Sequence, residues 1–243
     1  MKGVWCGKDA IVAENFYTNC VTMFVPLKGY GTTAFSFVSN ILVECNSIKT
    51  TYGSYNEWPK AEIAYNTFTT SSGEPFISKG KYGLTSDNVR IHHNTVIGSS
   101  AFIAVDKIED ASWKPQIYEN LIVLSEGGVL VRENFSTQPS DRTTSFLEGA
   151  VFRNNAYFAS GICGGVASEL SGYNLLDMLE MADNHVLAAA PRFISIDPES
   201  SDFYRLKARK GGWSYSTSAT GYPGYVGAIE PELRPEGFSI NVR

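Results

Sequence analysis

The sequence predicts an all-β fold, a right-handed parallel β-helix solenoid with three strands per coil, and three observations carry that prediction. An asparagine recurs at Asn15, Asn40, Asn66, Asn94, Asn120 and Asn155, spaced by 25, 26, 28, 26 and 35 residues. Large apolar residues keep fixed offsets from it. Three positions before stand Val12, Phe37, Ile63, Ile91, Ile117 and Phe152, and two positions after stand Tyr17, Leu42, Phe68, Val96, Ile122 and Tyr157. Charged residues are only 19% of the chain, while Asn, Ser, Thr, Gly, Phe and Tyr are plentiful, a composition that favours strands and turns.

Apolar alternation with period two on either side of the asparagine reads as strand, bend, strand, with the flanking apolar side chains on the buried face. A recurring Asn at one bend has a physical reason: it tolerates the bend's backbone, and its amide can bond the Asn one coil above and below at the ~4.8 Å strand spacing. A third strand follows in several repeats, at Thr22 to Val25, Pro75 to Ser78, Phe102 to Val105 and Val129 to Val131. The fifth position after the Asn is a column of small residues: Cys20, Cys45, Ser71, Ser99, Ser125 and Ser160. A Leu-x-x-Leu-x-Leu frame is absent, and propeller blades would repeat at ~40 residues or more, so the other repeat architectures fit less well. The long fifth interval holds a polar stretch, Ser136 to Ser145, with the composition of a surface loop of the kind that overhangs a groove.

Beyond Gly165 the pattern changes. Leu175, Leu176, Met178, Leu179 and Ala182 fall at near-helical spacing, which predicts a short capping or side-packed helix over Ser171 to Val186. The expected organisation is one domain, with parallel β-helix coils over 1–165 and a C-terminal helix and closing segment over 166–243.

Composition excludes several function classes. A net charge of −5 with no long basic run offers nothing to a phosphate backbone, so no nucleic-acid partner is expected. No apolar run approaches the ~20 residues that cross a bilayer, and Met1-Lys2 is not followed by a signal-peptide apolar stretch. The four cysteines are too few for a disulfide scaffold, and no Cys-x-x-Cys pair exists to suggest zinc or redox work. Cys20 and Cys45, in one column on adjacent coils, are close enough for a disulfide, although two reduced side chains filling the column is the favoured expectation.

The C-terminal stretch from Pro191 to Pro231 carries Pro191, Phe193, Asp202, Phe203, Leu206, Gly227, Ala228 and Glu230 in the order Pro-x-Phe, Asp-Phe-x-x-Leu, Gly-Ala-x-Glu. This resembles the closing segment of bacterial secreted right-handed β-helix proteins of the pectate-lyase-like superfamily. A Ser-Pro-Ala-Ile-Asp usual between the halves is replaced here by Gly211, Gly212, Trp213, Ser214, Tyr215 and Ser216. The resemblance implies a carbohydrate-active protein that is secreted, periplasmic or on the cell surface, and that begins with more N-terminal coils than are seen here. Such proteins are mostly polysaccharide lyases, with glycoside hydrolases among them.

On such a fold the substrate lies along an exposed sheet face, so equivalent outward positions on successive coils form the candidate site. Lys79, Asp106, Lys107 and Arg132 are expected to line the groove as catalytic residues, with Lys79, Asp106 and Arg132 one coil apart as an ionic strip. β-Elimination from a uronic acid needs a cation to neutralise the carboxylate, a base for the C5 proton and an acid for the leaving oxygen, roles that Lys and Arg can fill. A plain salt-bridge ladder is the competing account of the same residues. The stretches Ser71 to Lys79 and Gly127 to Phe135 look loosely like the strands that bear Lys and Arg in chondroitinase B and alginate lyases, and by that match Glu74 would be a calcium ligand. His92, His93, Tyr118 and Arg153 form a second expected cluster, for substrate binding, with Tyr65 and Glu119 nearby. Consecutive strand residues point to opposite faces, so at most one of the two histidines serves a given groove, and a satisfied surface histidine is the favoured alternative to a general base. Loop aromatics Tyr52, Tyr55, Trp58 and Trp113 could stack on sugar rings or plug coils. The expected function is a polysaccharide lyase on an acidic glycan; a glycoside hydrolase using Glu74, Asp106, Glu109 or Glu133, and a non-catalytic glycan-binding module, are the alternatives.

Overall fold

A computed structural model of the chain describes residues 2–6, 10–20, 22–26, 35–49, 61–79, 89–105, 115–133, 151–159, 184–187, 190–206 and 226–229. The strands run in chain order as β1 (Lys2–Cys6), β2 (Ala10–Ala13), β3 (Phe16–Thr18), β4 (Thr22–Pro26), β5 (Phe35–Val38), β6 (Ile41–Val43), β7 (Ile48–Lys49), β8 (Ala61–Ala64) and β9 (Thr67–Thr69). They continue as β10 (Ile77–Lys79), β11 (Val89–His92), β12 (Thr95–Val105), β13 (Gln116–Tyr118), β14 (Leu121–Glu133), β15 (Val151–Arg153), β16 (Ala156–Ala159) and β17 (His185–Val186). The described residues are all-β, and every pairing between these strands is parallel.

Each strand pairs with its equivalent one repeat away, which sorts the strands into three ladders. The strands that precede the asparagines form a six-stranded sheet in the order β15-β13-β11-β8-β5-β2. Strands that follow them stack as β3, β6, β9, β12, β14, β16 and β17, and the third strands stack as β1, β4, β7, β10, β12 and β14. β12 and β14 belong to both of the latter ladders because the backbone runs from second to third strand without a break, with register shifts between Ile97 and Ala101. One such shift sets Ser99 opposite Leu124 instead of Ser125, so the small-residue column is offset there.

The two apolar columns fill the interior. Phe37, Leu42, Ile63, Phe68, Ile91, Val96, Ile117, Ile122 and Phe152 are all buried in one cluster with Phe76, Ile77, Phe102 and Ile103 from the third ladder. Each such side chain stabilises the fold by roughly 1.5–3 kcal/mol through burial. Phe76 lies between Phe68 and Phe102, with ring centroids 5.4 Å from each, tying the second ladder to the third.

At each bend the carboxamide serves its neighbours on both sides. The Asn66 N–H and Nδ2 both donate to Asn94 Oδ1 at 3.0 Å, and the same pair of bonds recurs from Asn94 to Asn120 and from Asn120 to Asn155. Asn94 Nδ2 also reaches Ile63 O on the preceding coil, at 2.9 Å. A further rung was not anticipated: Asn155 donates from N and Nδ2 to Asn184 Oδ1 at 2.9 and 3.0 Å. His185–Val186 then pairs with Ala156–Tyr157, so the ladder extends past the boundary expected at residue 165. The end of the stretch expected to be helical is therefore strand, because the Asn at 184 and the residues after it are held by the rung before; the rest of that stretch lies outside the described residues.

The left-handed backbone at the bend falls on the residue before each Asn, not on the Asn itself. Glu14, Ser39, Tyr65, His93, Glu119 and Asn154 all have φ between 51° and 58°. A left-handed residue with a Cβ costs roughly 1–2 kcal/mol, so the asparagine is selected by its side-chain bonds and not by tolerance of the bend.

The closing segment packs on the outer side of the second ladder. Leu206 and Val226 are buried with Leu121 and Ala156, and Phe193 bridges Leu206 and meets the Tyr204 ring edge-on. Burial, and then the charge of Glu44, raise the Tyr204 phenol above its ordinary pKa. Gly227 explains one residue of the closing pattern. Its N–H donates to Glu119 O at 3.0 Å, its φ is +94°, and a Cβ there would stand 2.8 Å from Thr95 Oγ1. The adjacent Ala228 N–H donates to that same Thr95 oxygen at 2.9 Å.

Replacing Asn94 with Ala would strip partners from the Asn66 and Asn120 amides and from Ile63 O, all buried. Asn94→Ala should cost at least ~3 kcal/mol in urea unfolding, whereas Asn15→Ala, at the exposed rung, should cost about 1 kcal/mol or less. Equal losses at the two sites would refute the additive-rung account.

Candidate functional site

The expected ionic strip does not form a column. Ser78, Ala104 and Arg132 are in register, and so, one position further on, are Lys79, Val105 and Glu133. Successive strand positions alternate between faces, so Lys79 and Arg132 belong to different columns two coils apart, contrary to the expectation. Lys79 stands thirteen residues after Asn66 and Arg132 twelve after Asn120, so the expected strip joined unequal offsets; the shift between Ile97 and Ala101 displaces only the intervening repeat, where Val105, eleven after Asn94, takes the place level with Lys79 and Glu133. Asp106 and Lys107 lie outside the described residues, as do the 136–145 loop and Tyr52, Tyr55, Trp58 and Trp113. Arg132 Nη1 donates to Ser100 Oγ at 2.9 Å, which fixes the guanidinium across the step between β12 and β14.

Glu74 accepts from Ser47 Oγ at 3.4 Å. Calcium takes six to eight oxygen ligands, and among the described residues no group of three or more His, Cys, Asp or Glu is arranged to hold a metal.

The second cluster is brought together. β11 delivers His92, the bend delivers His93, and register sets His92 beside Tyr118 and Tyr118 beside Arg153. The two histidines do not part to opposite faces, because the left-handed turn at His93, with φ of 51°, interrupts the strand alternation. Their Nδ1 atoms are 2.9 Å apart. His92 Nε2 meets Glu62 Oε1 at 3.1 Å, and His93 Nε2 meets Glu119 Oε2 at 3.2 Å, the latter a close approach and not an aligned hydrogen bond. Tyr118 stacks on His92 with centroids 4.8 Å apart and planes 5° from parallel, and Tyr65 stacks on His93 at 4.9 Å.

Both imidazoles and the Glu119 side chain are fully buried, while the Glu62 side chain is 36% exposed. The arrangement is a line of four titratable groups with one end near solvent. It can hold and pass protons, but the imidazoles do not present themselves to a polymer lying on the surface. Glu62 escaped the sequence reading although a signal existed: it stands four positions before Asn66, in register with Arg90 and one coil from His92's own neighbour.

Cys20 and Cys45 are free, buried thiols, each directed at the carbonyl two residues earlier, Thr18 O and Val43 O, at 3.5 Å. Burial, with the neighbouring Cys20, pushes the Cys45 thiol up to about 12. Comparison with protein-family models, with curated proteins and with solved structures found no match.

Because the thiolate is the reactive form, native Cys45 should react with iodoacetamide roughly 10³-fold more slowly than in the unfolded chain near neutral pH. The sign with pH follows. An acid raised on folding keeps its proton after the unfolded thiol has lost its own, so this group's contribution to stability is intact below about 9 and declines towards about 12. Peptide mapping of the alkylated protein checks the first statement, and a Cys45→Ala comparison at alkaline pH checks the second.

Proposed function

We propose that the chain is a right-handed parallel β-helix protein that acts on polysaccharide outside the cytoplasm, as a lyase that cleaves an acidic glycan by β-elimination. The observation that carries this reading is the seating of the closing segment. Three residues of the pectate-lyase-like pattern are tightly seated: Phe203 and Leu206 are buried, and Gly227 makes a close approach that a side chain would block. Parallel strands paired at one-repeat offsets in three ladders are the arrangement that a β-helix requires. Fold and lineage leave the chemistry to the site. There, Arg132 is the described cation suited to a uronate carboxylate, since Ser100 holds its guanidinium in place.

One observation favours a second reading, glycan binding without cleavage. Lys79 and Arg132 fall in different columns, and the histidines that could act as bases are buried.

A panel of uronate polysaccharides, with and without calcium, separates the two. The lyase reading expects a rise in the near-ultraviolet absorbance of the unsaturated product, lowered about 10²-fold by Arg132→Ala. Retarded migration in a uronate gel without that rise on any substrate identifies a binding module and ends the lyase reading.

A further inference from the structure

We infer that Glu62, His92, His93 and Glu119 form one proton-binding unit that holds three protons across its three contacts, one more than two neutral histidines carry. The argument is a count. An imidazole nitrogen can approach another nitrogen at 2.9 Å only if a single proton lies between them, since two lone pairs repel and two N–H groups clash. That contact therefore takes one proton. Each Nε2 faces a carboxylate oxygen, at 3.1 and 3.2 Å. A bare ring nitrogen would set its lone pair against the carboxylate's at either distance, so each of those contacts also takes one proton, as a hydrogen bond at Glu62 and off the bond line at Glu119.

With both carboxylates ionised, the histidine pair is a monocation whose shared proton lies between the Nδ1 atoms. Moving a proton from His93 Nε2 onto Glu119 leaves the total at three. The described groups around the unit are consistent with a held charge. Tyr65 from the bend after β8 and Tyr118 from β13 lay their ring faces on the two imidazoles, an arrangement that stabilises a cation. Among the described residues, Arg90 on β11 itself and Arg153 on β15 also stand on this face, and Arg90 is in register with Glu62.

The count fixes a pH dependence. Unfolded histidines titrate near ~6.5. At higher pH the unfolded pair carries two ring protons against three in the folded unit, so stability falls as pH rises. At lower pH it carries four against three, so stability falls as pH drops. The unit stabilises the fold most at about pH 6.5, where the unfolded pair carries three, with flanks of about tenfold in the folding constant per pH unit.

Two measurements on the full chain test this. In ¹⁵N-histidine-labelled protein, with His185→Gln removing the remaining histidine, ring shifts at about pH 7.5 should show both Nε2 atoms protonated and the two Nδ1 atoms sharing one proton. Two ring protons and an ordinary neutral tautomer on each histidine, with no shared Nδ1 proton, would overturn the inference. Secondly, the stability difference between the parent and a His92→Gln/His93→Asn variant, which keeps a residue that accepts left-handed backbone at 93, should be bell-shaped in pH. A flat or monotonic difference would also overturn it. If that variant does not fold, the labelled parent alone decides.

Discussion

Each buried ladder asparagine receives two donors on Oδ1 from the rung before and supplies two, its backbone N–H and its Nδ2, to the rung after. Nearly everything else follows from that arrangement, because it fixes where each bend sits relative to the next. Once the bends are stacked, the side chains three before and two after are stacked too, and the interior becomes a set of columns of like residues. A buried amide left without partners costs roughly 1–3 kcal/mol. A coil that slipped by one residue would leave several, so register is enforced by polar groups and then filled by apolar ones.

The same bend has a conformational cost that recurs in each coil. Two Glu, a Ser, a Tyr, a His and an Asn all adopt left-handed backbone immediately before the ladder residue. The cost is offset by the bonds that follow, and it leaves the position free to vary. That freedom lets one coil place an imidazole there, turned back against its predecessor, and the next coil place a carboxylate. The most concentrated group of titratable side chains thus arises where the backbone is least ordinary.

Much of the architecture was legible in the sequence, since period-two apolar columns and a repeating Asn are local signals that stacking only amplifies. Asn184 was equally visible, with an apolar residue two positions on, yet the near-helical spacing of Leu175, Met178 and Leu179 drew attention away from it. The site was less legible. Offsets from the Asn predict neighbours only while every repeat has the same number of residues, and the shift after Ile97 defeats that for the Asn94 repeat, where Ala104 at offset ten lies level with Ser78 and Arg132 at offset twelve. Membership of the histidine cluster was readable from the columns, but its burial was not, because burial depends on how the bend turns a side chain.

The ladder also has a direction. From Asn15 to Asn155 the backbone N–H and Nδ2 of each rung are given to the Oδ1 of the rung that follows. A row built this way is a one-way street. A repeat laid in the opposite sense would set oxygen against oxygen or N–H against N–H at both of its contacts, so the amides dictate the sense in which each successive repeat is added.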